Sequence, residues 1–169
     1  SFFMEEGFNV TGIDGSESAI KNAEKLLKKK YKEKKDNLNL QVMKFEDFSF
    51  KNNSFDLVVD YFAIYANKVN LIKSIYSKIH KVLKTNGRFY GRVWGDLCEG
   101  SKTGNIIETG TSLNPKKGPC KNMGTSHFFN EREINKIFRE WSEVEVTKIL
   151  TTKTNLPDQI EEYEIWAKP

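Results

Sequence analysis

A carboxylate stands where a strand gives way to a helix in the run Val10-Thr11-Gly12-Ile13-Asp14, which Gly15-Ser16-Glu17-Ser18 follows at once. In that place it can accept from both hydroxyls of a ribose, because it sets two acceptor oxygens against two vicinal donors. In doubly wound sheets such a group ends the second strand beside a nucleotide crevice, about 20 residues after a glycine-rich turn. No such turn precedes Asp14 here, so residues 1–169 are expected to be part of a longer chain. Asp14 can instead cap the following helix through the amides of Ser16 and Ser18, and both roles stay open.

Other chemistry-bearing side chains are fewer. His127, between Ser126 and Phe128, is either a base for a hydroxyl substrate or a structural hydrogen-bonder. Cys98 and Cys120 have neither CxxC spacing nor a histidine cluster beside them, so they read as free thiols and no metal site is expected. The run Lys28-Lys29-Lys30-Tyr31-Lys32-Glu33-Lys34-Lys35 supplies much of the net charge of +4. A solvated helix face explains it, and a phosphate-binding surface is the alternative.

Residues 1–7 read as the end of a helix closed by Gly7 in a left-handed cap. From an N-cap at Ser16, the apolar residues Ile20, Ala23, Leu27 and Tyr31 recur at helical spacing. Strands are predicted at 40–45, 55–61 and 88–94. A helix carrying Ile72, Ile75, Ile79, Val82 and Leu83 precedes the third and stops at Asn86-Gly87. Residues 95–126, with six glycines and two prolines, form a long loop suited to a lid or binding segment. Asn130 and Glu133 fit a capping box, and Phe129 with Ile134 a hydrophobic staple, for a helix carrying Ile137, Phe138 and Trp141. Strands at 144–151 and 160–167, joined by a turn at 154–158, close the chain as an antiparallel pair. The alternation of helix and strand predicts an α/β fold, a mostly parallel Rossmann-like sheet with helices on both faces.

Taken in order, these motifs resemble the class I S-adenosylmethionine-dependent methyltransferases, in particular the small single-domain and tellurite-resistance-like groups. The likeness rests on Val-Thr-Gly-Ile-Asp14, on Asn-Asn-Ser-Phe55-Asp56, on Leu83-Lys84-Thr85-Asn86-Gly87 and on the final helix-strand-strand, and it runs almost end to end as one domain. It implies S-adenosylmethionine as cofactor, with Asp14 and Gly15 at its ribose. Adenine would meet Phe45 and either Glu46 or Asp47, where Lys44 departs from the family's usual acidic residue. Asp60, Tyr61 and Phe62 would line the methionine end, with Tyr65, Trp94 and His127 on the acceptor side. Aromatic walls exclude water and favour a sulfonium cation; Tyr61 and Phe62 can equally be core. Transfer to nitrogen, sulfur or carbon needs no strong base, since alignment and desolvation do most of the work.

The family's central first strand is absent from residues 1–169. The expectation is therefore either that it belongs to a longer chain, or that the strand at 8–14 pairs directly with that at 55–61. Hydrophobic residues make up 38% of the chain, enough for a real core. No apolar stretch approaches the roughly 20 residues of a membrane span and no signal pattern opens the sequence, so the expected compartment is the cytoplasm. The leading reading is methyl transfer to a small-molecule acceptor. The alternatives are a silent scaffold or regulatory domain, an RNA methyltransferase that uses the lysine run, and a nicotinamide dehydrogenase, against which the terminal antiparallel pair stands.

Overall fold

The computed structural model describes residues 2–31, 37–152, 154 and 159–169. It divides into two compact units, Ser1–Ser49 and Phe50–Pro169.

In the first unit, α1 (Phe2–Glu5) ends at Gly7, whose φ of +84° is the predicted left-handed cap. There follow β1 (Val10–Asp14), α2 (Glu17–Lys30) and β2 (Leu38–Val42). The two strands are parallel, with Gly12 opposite Leu40 and Asp14 opposite Val42. A Cβ at Gly12 would lie 2.7 Å from Leu40 Cδ2, so a larger residue there would displace the Leu40 side chain. Ser16 caps α2, its hydroxyl accepting from Ala19 N at 3.3 Å. Lys28, Lys29 and Lys30 fill the last turn, where the helix dipole favours cations; Lys32, Glu33, Lys34 and Lys35 lie outside the described residues. β2 stops at Val42, three residues before the predicted end, because the chain turns at Lys44, whose carbonyl accepts from Asp47 N.

The second unit opens with β3 (Phe55–Tyr61), a single 3-10 turn (Ile64–Ala66), α3 (Val69–Val82) and β4 (Leu83–Trp94). The short strands β5 (Asn105–Glu108), β6 (Thr111–Leu113) and β7 (Thr125–His127) lead to α4 (Glu131–Ile137). β8 (Glu143–Thr152) and β9 (Gln159–Lys168) complete it. The main sheet has the order β3-β4-β9-β8: β3 and β4 run parallel, and the other pairs antiparallel. Ile72, Ile75, Ile79 and Val82 of α3 are buried, as are Phe89 and Val93 of β4 and Ile165 of β9. Phe138 and Trp141 add a ring cluster, 5.1 Å apart and both within 5.8 Å of Phe89.

Four expectations need correction. The ladder between 8–14 and 55–61 is not among the strand pairings of the described residues, where β1 pairs with β2 and β3 with β4. α3 ends at Val82, and the residues before Gly87 already belong to β4 as an irregular stretch: Phe55 faces Leu83, whereas Leu57 faces Arg88. Glycine is needed at 87 because a Cβ would meet the carbonyls of Lys84 and Phe55 at 2.9 Å. Residues 95–126 are no plain loop, since β5, β6 and β7 pair as a three-stranded antiparallel sheet within them. α4 is shorter than its apolar pattern, with Phe138 as its C-cap and Trp141 in the turn beyond. The terminal pair is as predicted and in continuous register from Glu143–Lys168 to Thr152–Gln159. Of the turn at 154–158, all but Thr154 lies outside the described residues. Among the described residues no helix is long and apolar enough to cross a membrane.

Candidate functional site

In the first unit the carboxyl ends of β1 and β2 lie side by side. Asp14 is exposed; its Oδ1 accepts from Ser16 N at 2.7 Å, and its carbonyl accepts from Met43 N at 2.9 Å. Part of the capping role is therefore real. Oδ2 has no hydrogen-bond partner among the described residues, so one acceptor is fixed and one is on offer. Gly15 keeps this edge low, a Cβ there being 3.8 Å from Lys44 Cγ. Phe45 is half-buried and Glu46 exposed, in the turn that follows. Ligands of open α/β sheets bind outside the carboxyl ends of such strands.

In the second unit the carboxyl ends of β3 and β4 carry a group of rings. Phe62 stacks on Trp94 with centroids 4.0 Å apart and planes at 21°. Tyr61 meets Phe62 edge-on at 5.0 Å, and Tyr65 meets Trp94 edge-on at 6.3 Å. Phe62 holds φ at +53°, an uncommon conformation for a bulky residue and one that clusters at functional sites. Tyr61 is 58% exposed while Tyr65 is buried, its pKa pushed up to about 12 by burial.

Asp60 sits beneath the rings and is almost fully buried. Its Oδ1 accepts from Ala63 N at 3.0 Å and Ile64 N at 3.1 Å, and its Oδ2 from the Tyr76 hydroxyl at 3.3 Å. It thereby shapes the turn that presents Phe62 and Tyr65. Burial raises its pKa to about 6 even though all three hydrogen bonds favour the charged form.

His127 is fully buried with both ring nitrogens engaged, Nδ1 with Thr111 Oγ1 at 2.7 Å and Nε2 with Glu133 Oε2 at 2.9 Å. This geometry fits the structural role, and neither nitrogen is presented to a substrate. Asn130 caps α4 as predicted, but the carboxylate of Glu133 goes to His127, because a buried imidazole N–H requires an acceptor. Cys98 and Cys120 are buried free thiols, both pushed up by burial.

Arg92 was not singled out in the sequence, although it stands two residues before Trp94 on the same strand face. Its guanidinium lies 5.6 Å from the centroids of both Tyr61 and Phe62, donates to the Tyr61 hydroxyl and pairs with Glu162. Arg92 Nε and Trp94 Nε1 are buried donors without an acceptor among the described residues. Glu161, also missed, is fully buried; it pairs with Lys148 and accepts from Leu97 N at 2.7 Å. Its side chain fills the space a Cβ of Gly95 would need, so glycine is required where β4 passes into the segment 95–126.

Comparison with known proteins bears on the family and the fold. Residues 2–156 match the family model described as a methyltransferase domain. No curated protein sequence matches the chain. Among solved structures, a SAM-dependent methyltransferase from Methanosarcina mazei is 21% identical with a TM-score of 0.71, over 99% of this chain and 85% of that one. The 1,6-didemethyltoxoflavin-N1-methyltransferase of Burkholderia thailandensis, with its substrate and S-adenosylhomocysteine bound, is 16% identical with a TM-score of 0.64, over 99% and 64%. A phosphoethanolamine N-methyltransferase of Haemonchus contortus is 17% identical with a TM-score of 0.72, over 98% and 45%.

Proposed function

We propose, from the premise that this chain belongs to the methyltransferase-domain family matched by residues 2–156, that it transfers a methyl group from S-adenosylmethionine to a small-molecule acceptor in the cytoplasm. The observation that carries the reading is the exposed carboxylate of Asp14 at the end of β1, with one oxygen steadied by Ser16 N and the other without a partner among the described residues. That pair of acceptor oxygens suits a ribose diol, which needs acceptors fixed in place. Two of the similar solved structures carry S-adenosylhomocysteine together with a small molecule, 1,6-didemethyltoxoflavin in one and phosphomonomethylethanolamine in the other.

When bound, the cofactor supplies an activated methyl on a sulfonium sulfur. Asp14 holds the ribose hydroxyls and Gly15 leaves room beside them. Phe45 offers a ring wall and backbone to the adenine, with Glu46 as acceptor for its amine. Phe62, Trp94 and Tyr61 of the second unit offer a π-rich wall, which suits a cation. Asp60 acts beneath them by holding the Phe62–Tyr65 turn. Tyr65 and Trp94 border the acceptor, and the buried donors of Arg92 and Trp94 favour an acceptor that carries oxygen or ring nitrogen. His127 serves by position and not as base, so the geometry favours an acceptor atom that needs little deprotonation.

Calorimetric titration of the chain with S-adenosylhomocysteine tests the cofactor, with Asp14→Ala as control. Methyl transfer from labelled S-adenosylmethionine to a panel of small amines, thiols and heteroaromatics tests the acceptor. Binding by the wild type that weakens about 10- to 100-fold in Asp14→Ala is expected. Equal binding by both chains overturns the role of Asp14.

A further inference from the structure

Side chains from four elements form one hydrogen-bonded chain whose two middle members are buried. Glu133 of α4 meets His127 Nε2 of β7 at 2.9 Å, and His127 Nδ1 meets Thr111 Oγ1 of β6 at 2.7 Å. The Thr111 hydroxyl lies 3.0 Å from Glu108 Oε1 of β5, and the same oxygen accepts from Val69 N, the first residue of α3, at 2.7 Å. His127 and Thr111 are both fully buried. Lys68, at the N-cap of α3, makes no side-chain cap, so Glu108 caps that helix from 39 residues away. A carboxylate there also meets the positive end of the helix dipole.

Counting protons along this chain gives it two settings. The Glu133 carboxylate only accepts, so Nε2 carries a proton. Thr111 has one hydroxyl proton and two neighbours, Nδ1 and Glu108. If the ring is neutral, Nδ1 is bare and takes the Thr111 proton, leaving the Thr111 and Glu108 oxygens facing each other as acceptors. If the ring is an imidazolium, Nδ1–H donates to Thr111, whose proton is then free for Glu108. All four bonds coexist only in the second setting.

We propose that His127 is a positioning residue whose second proton fastens Glu108, and with it the hairpin β5–β6, to the amino end of α3. The consequence reaches the acceptor side, because β7 packs against the Ile64–Ala66 turn that bears Tyr65 and that leads into α3. This functional consequence rests on the proposed methyl-transfer reading. The groups about the ring are Glu133 from α4, Thr111 and beyond it Glu108 from the hairpin, the Phe129 ring edge-on at 4.5 Å, and the backbone at Gly110, where a Cβ would lie 2.9 Å from His127 Cε1. Tyr65 and Cys120 are the remaining titratable groups toward the turn. Glu133 is the one acid among these in contact with the ring, and Gly110, at φ +76°, leaves the ring its place.

The test follows the His127 ring nitrogens by nitrogen-15 NMR from pH 5 to 9, assigned with His80→Gln, and reads in parallel the hydrogen exchange of the Val69 amide corrected for its intrinsic rate. Protection of Val69 should fall about tenfold as the ring loses its second proton, the size expected for weakening one charge-assisted hydrogen bond. Thr111→Val should abolish that step while the ring still titrates, and Thr111→Ser should restore it. Should Thr111→Val not fold, Thr111→Ala serves, since it also removes the hydroxyl shared by His127 and Glu108. A Val69 step that persists in Thr111→Val or Thr111→Ala overturns the proposal, as does flat protection while the wild-type ring titrates or a ring with one proton throughout. S-adenosylhomocysteine binding, measured on the same samples, reports on the methyl-transfer reading separately, because the Val69 result stands whether or not the cofactor binds.

Discussion

Asp14 and Asp60 are the same residue at nearly the same topological place, the last and the next-to-last position of a strand in a parallel pair, yet their surroundings are opposite. Asp14 is exposed and accepts one backbone hydrogen bond. Asp60 is buried and accepts three, from Ala63 N, Ile64 N and Tyr76. A carboxylate with spare acceptor capacity in water can be spent on a ligand. One whose lone pairs are already committed in a desolvated place organises the chain instead. Sequence position alone does not separate the two; the following residues do. After Asp14 a helix cap uses one oxygen, whereas after Asp60 the chain folds back over the side chain.

The sharpest way to break this contrast is to remove both carboxylates. Asp60→Ala leaves two amides and a tyrosine hydroxyl unpaired in the interior and should cost about 3–5 kcal/mol in urea denaturation, whereas Asp14→Ala should cost under about 1 kcal/mol. Similar losses at the two positions would end the distinction. Next comes pH. With a folded pKa of about 6 against an ordinary value of 3.8, Asp60 favours the folded state when protonated. Its contribution is complete below about pH 4 and is lost as pH rises through 6, about 3 kcal/mol in all. Asp60→Asn should flatten that slope in stability measured from pH 4 to 8, and an unchanged slope would assign it to another group.

A smaller effect is expected on binding. Asp14→Ala should weaken S-adenosylhomocysteine about 10- to 100-fold by calorimetry, the worth of hydrogen bonds to a charged group. Smallest is Ser16→Ala, which removes the cap of α2 and should cost about 1 kcal/mol by thermal melting while leaving the affinity unchanged. A large affinity loss in Ser16→Ala would mean that the cap, and not the carboxylate, builds the site.

Long periodic elements were legible in the residues. The spacing of Ile72, Ile75, Ile79 and Val82 marks α3, and the apolar runs mark β3, β8 and β9. The sheet β5-β6-β7 was not, since strands of three or four residues carry too little alternation, and the glycines at 100, 104, 110, 118 and 124, all at positive φ, signal turns whether or not strands join them. Of the candidate site, the Asp14 edge and the Phe62–Trp94 wall could be read from position along the strands. The burial of Asp60 could not, because the partner that completes its shell, Tyr76, lies on the facing side of α3. Glu133 misled for a related reason: its spacing satisfies a capping box, and only the fold brings the buried ring of His127 to compete for it.

The place of β9 between β4 and β8 bears on how the second unit reaches its fold. β4 and β8 do not pair with each other, and the strand that joins them comes after both in the chain, with Phe89 opposite Ala167. Until β9 arrives, β4 has an open edge and β8 has no partner among these strands. Such long-range closure slows folding and prolongs the exposure of unpaired edges. The second unit is thus expected to gain its native order late and all at once, when residues 159–168 dock.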